Sequence, residues 1–219
     1  MEKTVEANLG TSPMSLPVVY VVDDDISVRE SLELLIRTAG WQAELFDSAQ
    51  GFLRCPKCTS PSCLILDVKL PGLNGLDLQK QVAVNRSDMP IIFISGYGDV
   101  PSSVQAMKAG AVEFLTKPFS EDVLLNAIRD ALERSRRVLE EQAALRDLQN
   151  RFGLLSRRER EVMALVVRGL LNKQVAFELG ISEITVKAHR GRVMEKMEAR
   201  SFADLVMMAA KLRATPTED

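Results

Sequence analysis

Histidine and cysteine are scarce in this 219-residue chain: His189 stands alone, and Cys55, Cys58 and Cys63 are the only thiols. A structural zinc needs four ligands, and three clustered thiols with one distant histidine do not supply them. An odd number of cysteines packed into so short a stretch also argues against a disulfide framework and for incidental reduced thiols in a variable loop. Long apolar runs are missing too. None approaches the roughly 18 residues that cross a bilayer, and the opening MEKTVEANLGTSP has no apolar stretch like that of a signal peptide, so a cytoplasmic protein without a membrane partner is expected.

What is present is an ordinary globular balance, 46% hydrophobic and 26% charged, in a length that suits two domains. The formal net charge of -2 hides a division: residues 17–120 carry 9 Lys+Arg against 12 Asp+Glu, whereas residues 154–213 carry 12 against 7. A basic C-terminal part is what a phosphate-facing surface needs, although a solvated surface alone can also look like this.

After a polar leader (1–16), the apolar runs VVYVV (18–22), CLILD (63–67), IIFIS (91–95) and VEFL (112–115), with a fainter one near Trp41–Phe46, alternate with amphipathic stretches at about 27–38, 48–54, 75–84, 101–109 and from 120. Uninterrupted β-branched runs are strands buried on both faces, so the expected fold is a doubly wound α/β domain with a five-stranded parallel sheet over residues 17–120. No Pro or Gly interrupts residues 120–150, where Leu124, Ala131, Val138, Leu145 and Phe152 recur every seven residues. A long linker helix over 120–153 is expected. Its second stripe (Ala127, Arg134, Glu141, Leu148) is half charged, which favours an exposed or weakly pairing helix over a coiled coil. Residues 154–213 read as an all-α domain of four short helices, with capping boxes at Ser156–Glu159 and Ser201–Asp204 and stops at Gly169 and Gly180.

In a doubly wound sheet the chemistry gathers at the carboxyl ends of the strands. Those ends carry Asp23-Asp24-Asp25, Asp67 and Ser95, and Lys117-Pro118 follows the last strand. Converging carboxylates need a cation or a proton, and hard oxygen donors without nearby His or Cys suit Mg²⁺ or Mn²⁺. Acids, a hydroxyl and a lysine together make a site for phosphoryl transfer to a carboxylate. Singly, each has a plainer reading: DDD as a solvated turn, Lys-Pro as a loop, Phe114 as core, Gly96 and Gly98 as turn residues. Their joint order argues otherwise.

The ordered set VVDDD, LDVKLPGLNG, FISGYGD and AMKAGAVEFLTKPF resembles the receiver domain of two-component response regulators over roughly residues 17–130. The resemblance implies a flavodoxin-like fold and Asp67 as phosphoacceptor. It further implies Asp24 and Asp67 as direct Mg²⁺ ligands, with Asp23 supporting the metal and the Lys69 carbonyl as a further ligand. Ser95 and Lys117 would bind the phosphoryl oxygens; Ser95 and Phe114 would form the switch.

Farther on, LNKQVAFELGISEITVKAHRGRVMEKM reads as helix, tight turn and second helix. On that second helix Val186, Val193 and Met197 share an inward face, opposite Ile184, Lys187, Ala188, Gly191 and Glu195. Lys187 can reach a base edge or a phosphate; His189, Arg190 and Arg192 would position the helix on the backbone. His189 alone reads equally well as a packed or capping residue, and the other basic residues as solvated charge. Residues 154–212 are similar to the LuxR/NarL helix-turn-helix domain, and the whole chain to the FixJ branch of response regulators. The resemblance places Thr185, Lys187, Ala188, His189 and Gly191 at the groove or backbone, with Lys173 on the preceding helix also in the DNA-binding set. It implies a sensor histidine kinase, double-stranded promoter DNA and a homodimer formed on phosphorylation as partners, with RNA polymerase a further candidate.

Competing readings are weaker. An aspartyl-phosphate phosphatase needs a second Asp two residues after its nucleophile, and Asp67 is followed by Val68-Lys69. A small-molecule-sensing transcription factor has no use for the acid set, and a receiver acting only through protein contacts has no use for the helix-turn-helix. No enzymatic role is expected beyond self-phosphorylation from a phosphodonor and slow self-dephosphorylation.

Overall fold

The computed structural model describes residues 16–96 and 100–214. Gly98 and nearly all of the leader lie outside the described residues. Five parallel strands, β1 (Val18–Val22), β2 (Gln42–Phe46), β3 (Ser62–Asp67), β4 (Ile91–Ser95) and β5 (Glu113–Thr116), stand in the order β2-β1-β3-β4-β5. That order reverses direction between β1 and β3, where a doubly wound sheet opens its ligand crevice.

Every residue of β1, β3 and β4 is buried, because both faces of the sheet are covered. Alternate residues of each strand feed two cores. Tyr20, Leu64, Leu66 and Phe93 pack with Phe52 of α2 (Ala49–Arg54), Leu78 of α3 (Gly75–Asn85) and Ala106 of α4 (Val100–Lys108). Val19, Val21, Ile65 and Ile92 pack with Ile36 of α1 (Ile26–Thr38) and with Leu124 and Ile128 of α5 (Glu121–Gly153). Edge strand β2 has no fully buried residue, which is why its run is the faint one in the sequence.

The chain divides into two compact units between Leu139 and Glu140. The 33-residue α5 belongs to both: Leu124, Ala127, Ile128, Ala131 and Leu132 enter the first unit's core, whereas Leu148 and Phe152 enter the second's. The seven-residue repeat thus serves two separate cores at its ends.

The second unit continues with α6 (Arg157–Val166), α7 (Asn172–Leu179), α8 (Glu183–Lys196) and α9 (Phe202–Ala214). The capping box at α6 is complete: the Glu159 amide donates to Ser156 Oγ at 3.3 Å, and the Ser156 amide donates to Glu159 Oε2 at 2.8 Å. The box expected at Ser201 is shifted by one residue, since Asp204 accepts from the Arg200 amide, at 3.0 Å. Gly180 ends α7 at φ 65°, a left-handed conformation that a side chain resists.

Glu159 does more than cap. It is 3% exposed and accepts from Lys196 Nζ at 2.7 Å, tying α6 to α8. The Lys196 hydrogen bond, then the Ser156 amide, hold its carboxyl down at about 2, against an ordinary 4.5. A depressed folded-state pKa contributes stability that is fully present above the unfolded value and is lost as pH falls through the folded one. The second unit is therefore expected to lose stability between pH 4.5 and about 2. Glu159→Gln should remove much of that acid dependence and cost about 1.5–3 kcal/mol at neutral pH, read by amide hydrogen exchange of α6 and α8 against pH.

Candidate functional site

The three consecutive aspartates after β1 separate into different roles. Asp23 is 1% exposed; its Oδ1 accepts the Asp25 amide at 2.9 Å and its Oδ2 takes Lys117 Nζ at 2.8 Å. Its carbonyl accepts Arg29 Nη1 at 2.7 Å. Asp25 turns away to cap α1, accepting the Ser27 amide at 2.8 Å. Asp24 is exposed at the mouth, and its carboxylate joins those of Asp23 and Asp67 with one oxygen each inside a 4.8 Å set.

Asp67 ends β3 and is 8% exposed. Burial pushes its carboxyl up; Lys117 opposes that, Asp23 reinforces it, and the Lys69 and Val68 amides donate to it and pull it down. Three carboxylates against one ammonium leave a negative excess, which a hard divalent cation held by Asp23, Asp24 and Asp67 would offset. The donor set therefore fits Mg²⁺. Lys69 presents its N–H to Asp67 here, with its side chain exposed.

Neighbouring strands bring up the rest. Ser95 ends β4 and is 1% exposed, and β4 lies beside β3 with Asp67 opposite Ile94. Phe114 on β5 is partly buried, its ring stacked on that of Phe93 at 6.2 Å between centroids. The structure thus brings Asp23, Asp24, Asp67 and Lys117 together directly. Ser95 and Phe114 sit on the two strands that follow.

One residue escaped the sequence reading. Gly75, first in α3, donates its amide to the Val68 carbonyl at 3.1 Å, and a Cβ there would stand 2.4 Å from the Asp67 carbonyl oxygen. The sequence places Gly75 at the start of the helical stretch 75–84, and nothing in that string shows that its Cα faces the Asp67 carbonyl.

In the second unit Val186, Val193 and Met197 of α8 and its cap are buried at 0%, 1% and 0% exposure, as the helical spacing required. Ser182 caps the helix by accepting the Thr185 amide at 3.1 Å. Lys173, Thr185, Lys187, Ala188, Gly191 and Arg192 are all exposed, and nothing lies within 4 Å of a Cβ built on Gly191. The fold therefore does not require glycine there. His189 and Arg190 turn partly inward. His189 Nδ1 is sealed from solvent without a hydrogen-bond partner. Arg190 Nη1 donates to Asn172 Oδ1 at 2.6 Å, and its guanidinium lies 5.4 Å above the Phe202 ring, so it braces α8 against α7 and α9.

Two sequence families match in succession: "Response regulator receiver domain" over residues 19–129 and "Bacterial regulatory proteins, luxR family" over residues 153–209. The chain belongs to the response regulators. Similar members include nodulation protein W of Bradyrhizobium diazoefficiens, 50% identical over 92% of this chain and 89% of that protein. The transcriptional regulatory protein FixJ of the same organism is 42% identical over 88% of this chain and 94% of its own length. Among solved structures, the response regulator StyR superposes with a TM-score of 0.82 at 46% identity, covering 90% of this chain and all of that one. This response regulator thus pairs a receiver domain with a LuxR-type DNA-binding domain, which makes it a transcription regulator. No described helix is long and apolar enough to cross a membrane.

Proposed function

We propose that this response regulator accepts a phosphoryl group on Asp67 from a partner sensor histidine kinase in the cytoplasm, dimerises, and binds promoter DNA. The observation that carries the reading is the set of three carboxylates, Asp23, Asp24 and Asp67, at the strand ends, with Lys117 already paired to Asp23. Mg²⁺ held by Asp23, Asp24, Asp67 and the Lys69 carbonyl would neutralise charge developing on the equatorial oxygens. The Asp67 carboxylate oxygen attacks phosphorus, the phosphorus–nitrogen bond to the kinase histidine breaks, and the histidine nitrogen retains the electron pair. Lys117 and Ser95 then hold the phosphoryl oxygens. Ser95 is drawn toward the group, and the Phe114 ring follows inward.

The surface altered by that movement includes α4, where Val104 and Met107 are each 45% exposed. Apolar exposure on that helix supports a receiver–receiver contact. A two-fold pair of receivers would set two α8 helices on half-sites of a roughly two-fold operator. Lys187, with Ala188 and Gly191 leaving room beside it, would read the groove; Lys173, Thr185 and Arg192 would hold backbone. His189 and Arg190 would act chiefly by positioning α8. We assign residues 17–120 to the receiver, 120–153 to the linking helix and 154–213 to the DNA-binding domain, with RNA polymerase as a further partner.

Binding isotherms on operator and random duplexes at several salt concentrations, with and without acetyl phosphate, test this. Lys187→Ala should cost about 1–3 kcal/mol on the operator alone if it reads a base. A contact to phosphate would instead weaken both duplexes alike and flatten the salt slope. Absence of operator preference in both phosphorylation states would overturn the regulator reading.

A further inference from the structure

The loop between α2 and β3 carries Cys55-Pro56-Lys57-Cys58, which phosphoryl transfer and DNA binding leave unused. It lies at the amino-terminal end of β3, away from the acid set at the other end of that strand. Cys55 and Cys58 are both half-buried and both pack against the core on the Tyr20 face of the sheet. Cys63 is fully buried in the opposite core, so the sheet separates it from the other two.

The two half-buried sulfurs have contrasting partners. Cys58 Sγ accepts the Ser60 amide at 3.3 Å, a backbone donor aimed at that sulfur. Cys55 Sγ donates to Glu44 Oε2 at 3.6 Å, next to a carboxylate that can take its proton. Burial, and after it the Glu44 carboxylate, push the Cys55 thiol up, so that it stays protonated at rest. The loop is anchored from outside: Lys57 Nζ pairs with Asp88 Oδ1 at 2.6 Å, and Arg86 Nη2 donates to the Cys55 carbonyl while its guanidinium covers the Phe52 ring. Residues 56–58 are not turned here, and Pro56 favours the second position of the four-residue turn into which a bond across two intervening residues would tighten them.

From this arrangement we infer that Cys55 and Cys58 form an oxidisable dithiol, a modification site for low-molecular-weight disulfides, with Cys58 as attacking and Cys55 as resolving thiol. The Cys58 thiolate attacks one sulfur of glutathione disulfide; the S–S bond breaks and one glutathione thiolate leaves. The Cys55 thiol gives its proton to Glu44 and attacks the Cys58 sulfur, expelling the second glutathione thiolate. Two protein thiols are oxidised to one disulfide and one glutathione disulfide is reduced to two thiols.

Treatment of the full-length protein with glutathione disulfide, blocking of remaining thiols and tryptic digestion decide the matter. Trypsin cuts after Lys57 and so separates the two cysteines unless a disulfide joins them, and fragment-ion sequencing of the linked pair distinguishes Cys58 from Cys63, which share residues 58–69. The expected result is a linked pair of fragments, Cys55 to Cys58, that reductant releases, with Cys63 unmodified. Cys55→Ser should accumulate glutathione on Cys58 without closure, Cys58→Ser should lose both products, and Glu44→Gln should slow closure while leaving the first step unchanged. Fragments that stay unlinked in the wild type, or a link through Cys63, would overturn the inference. Glutathione trapped on Cys55 in the Cys58→Ser protein would overturn the assignment of the attacking thiol.

Discussion

Asp67→Asn is expected to abolish phosphate uptake from acetyl phosphate and Mg²⁺, leaving the intact mass unchanged where the wild type gains one phosphoryl group. The amide has no anionic oxygen to attack phosphorus, and the two other carboxylates of the set differ in their surroundings: Asp23 is engaged by Lys117 and the Asp25 amide, and Asp24 is exposed. The variant should fold at least as well as the wild type, because it removes a buried charge whose ionised form burial and Asp23 both disfavour. Equal phosphate uptake by the two proteins would sink the assignment.

Among the described glycines of the receiver, Gly75 is where an added methyl group is expected to do the most damage. The added Cβ meets backbone, 2.4 Å from the Asp67 carbonyl oxygen and 3.2 Å from Val68 Cα, and backbone at the end of a central strand has nowhere to move. Overpacking of this kind costs about 1–3 kcal/mol, and here any relief displaces the phosphoacceptor itself. Unfolding followed by the fluorescence of Trp41, the only tryptophan and a member of the first unit, should shift down for Gly75→Ala. Phosphate uptake should fall with it. An unshifted midpoint would show that α3 can slide away from β3. Gly191→Ala is the natural control, since its Cβ meets open space.

Much of the architecture could be read directly. Uninterrupted apolar runs marked β1, β3 and β4 because both of their faces are buried, and helical spacing identified Val186, Val193 and Met197 as inward. The acid site was legible because its members sit at strand ends, positions that a parallel sheet converts into neighbours. Three features were not legible, each for the same reason: they depend on contacts between different elements of the fold. Gly75 matters through the Asp67 carbonyl, Glu159 through Lys196, and Arg190 through Asn172 and Phe202. A string of residues shows which groups are charged or small, and only the fold shows which of them meet. For Arg190 the partners that the fold supplies are Asn172 and Phe202 of its own domain.

The double membership of α5 bears on where this protein can be divided. Leu148 and Phe152 lie upstream of the LuxR-type homology, which begins at residue 153, yet they fill the same core as Val162, Val175 and Val186. A fragment that starts at Leu154 would therefore expose a hole where two large apolar side chains belong, whereas one that starts near Glu140 carries its whole core with it. The helix that joins the halves is also a shared piece of their interiors, and the natural cut falls inside it, between Leu139 and Glu140.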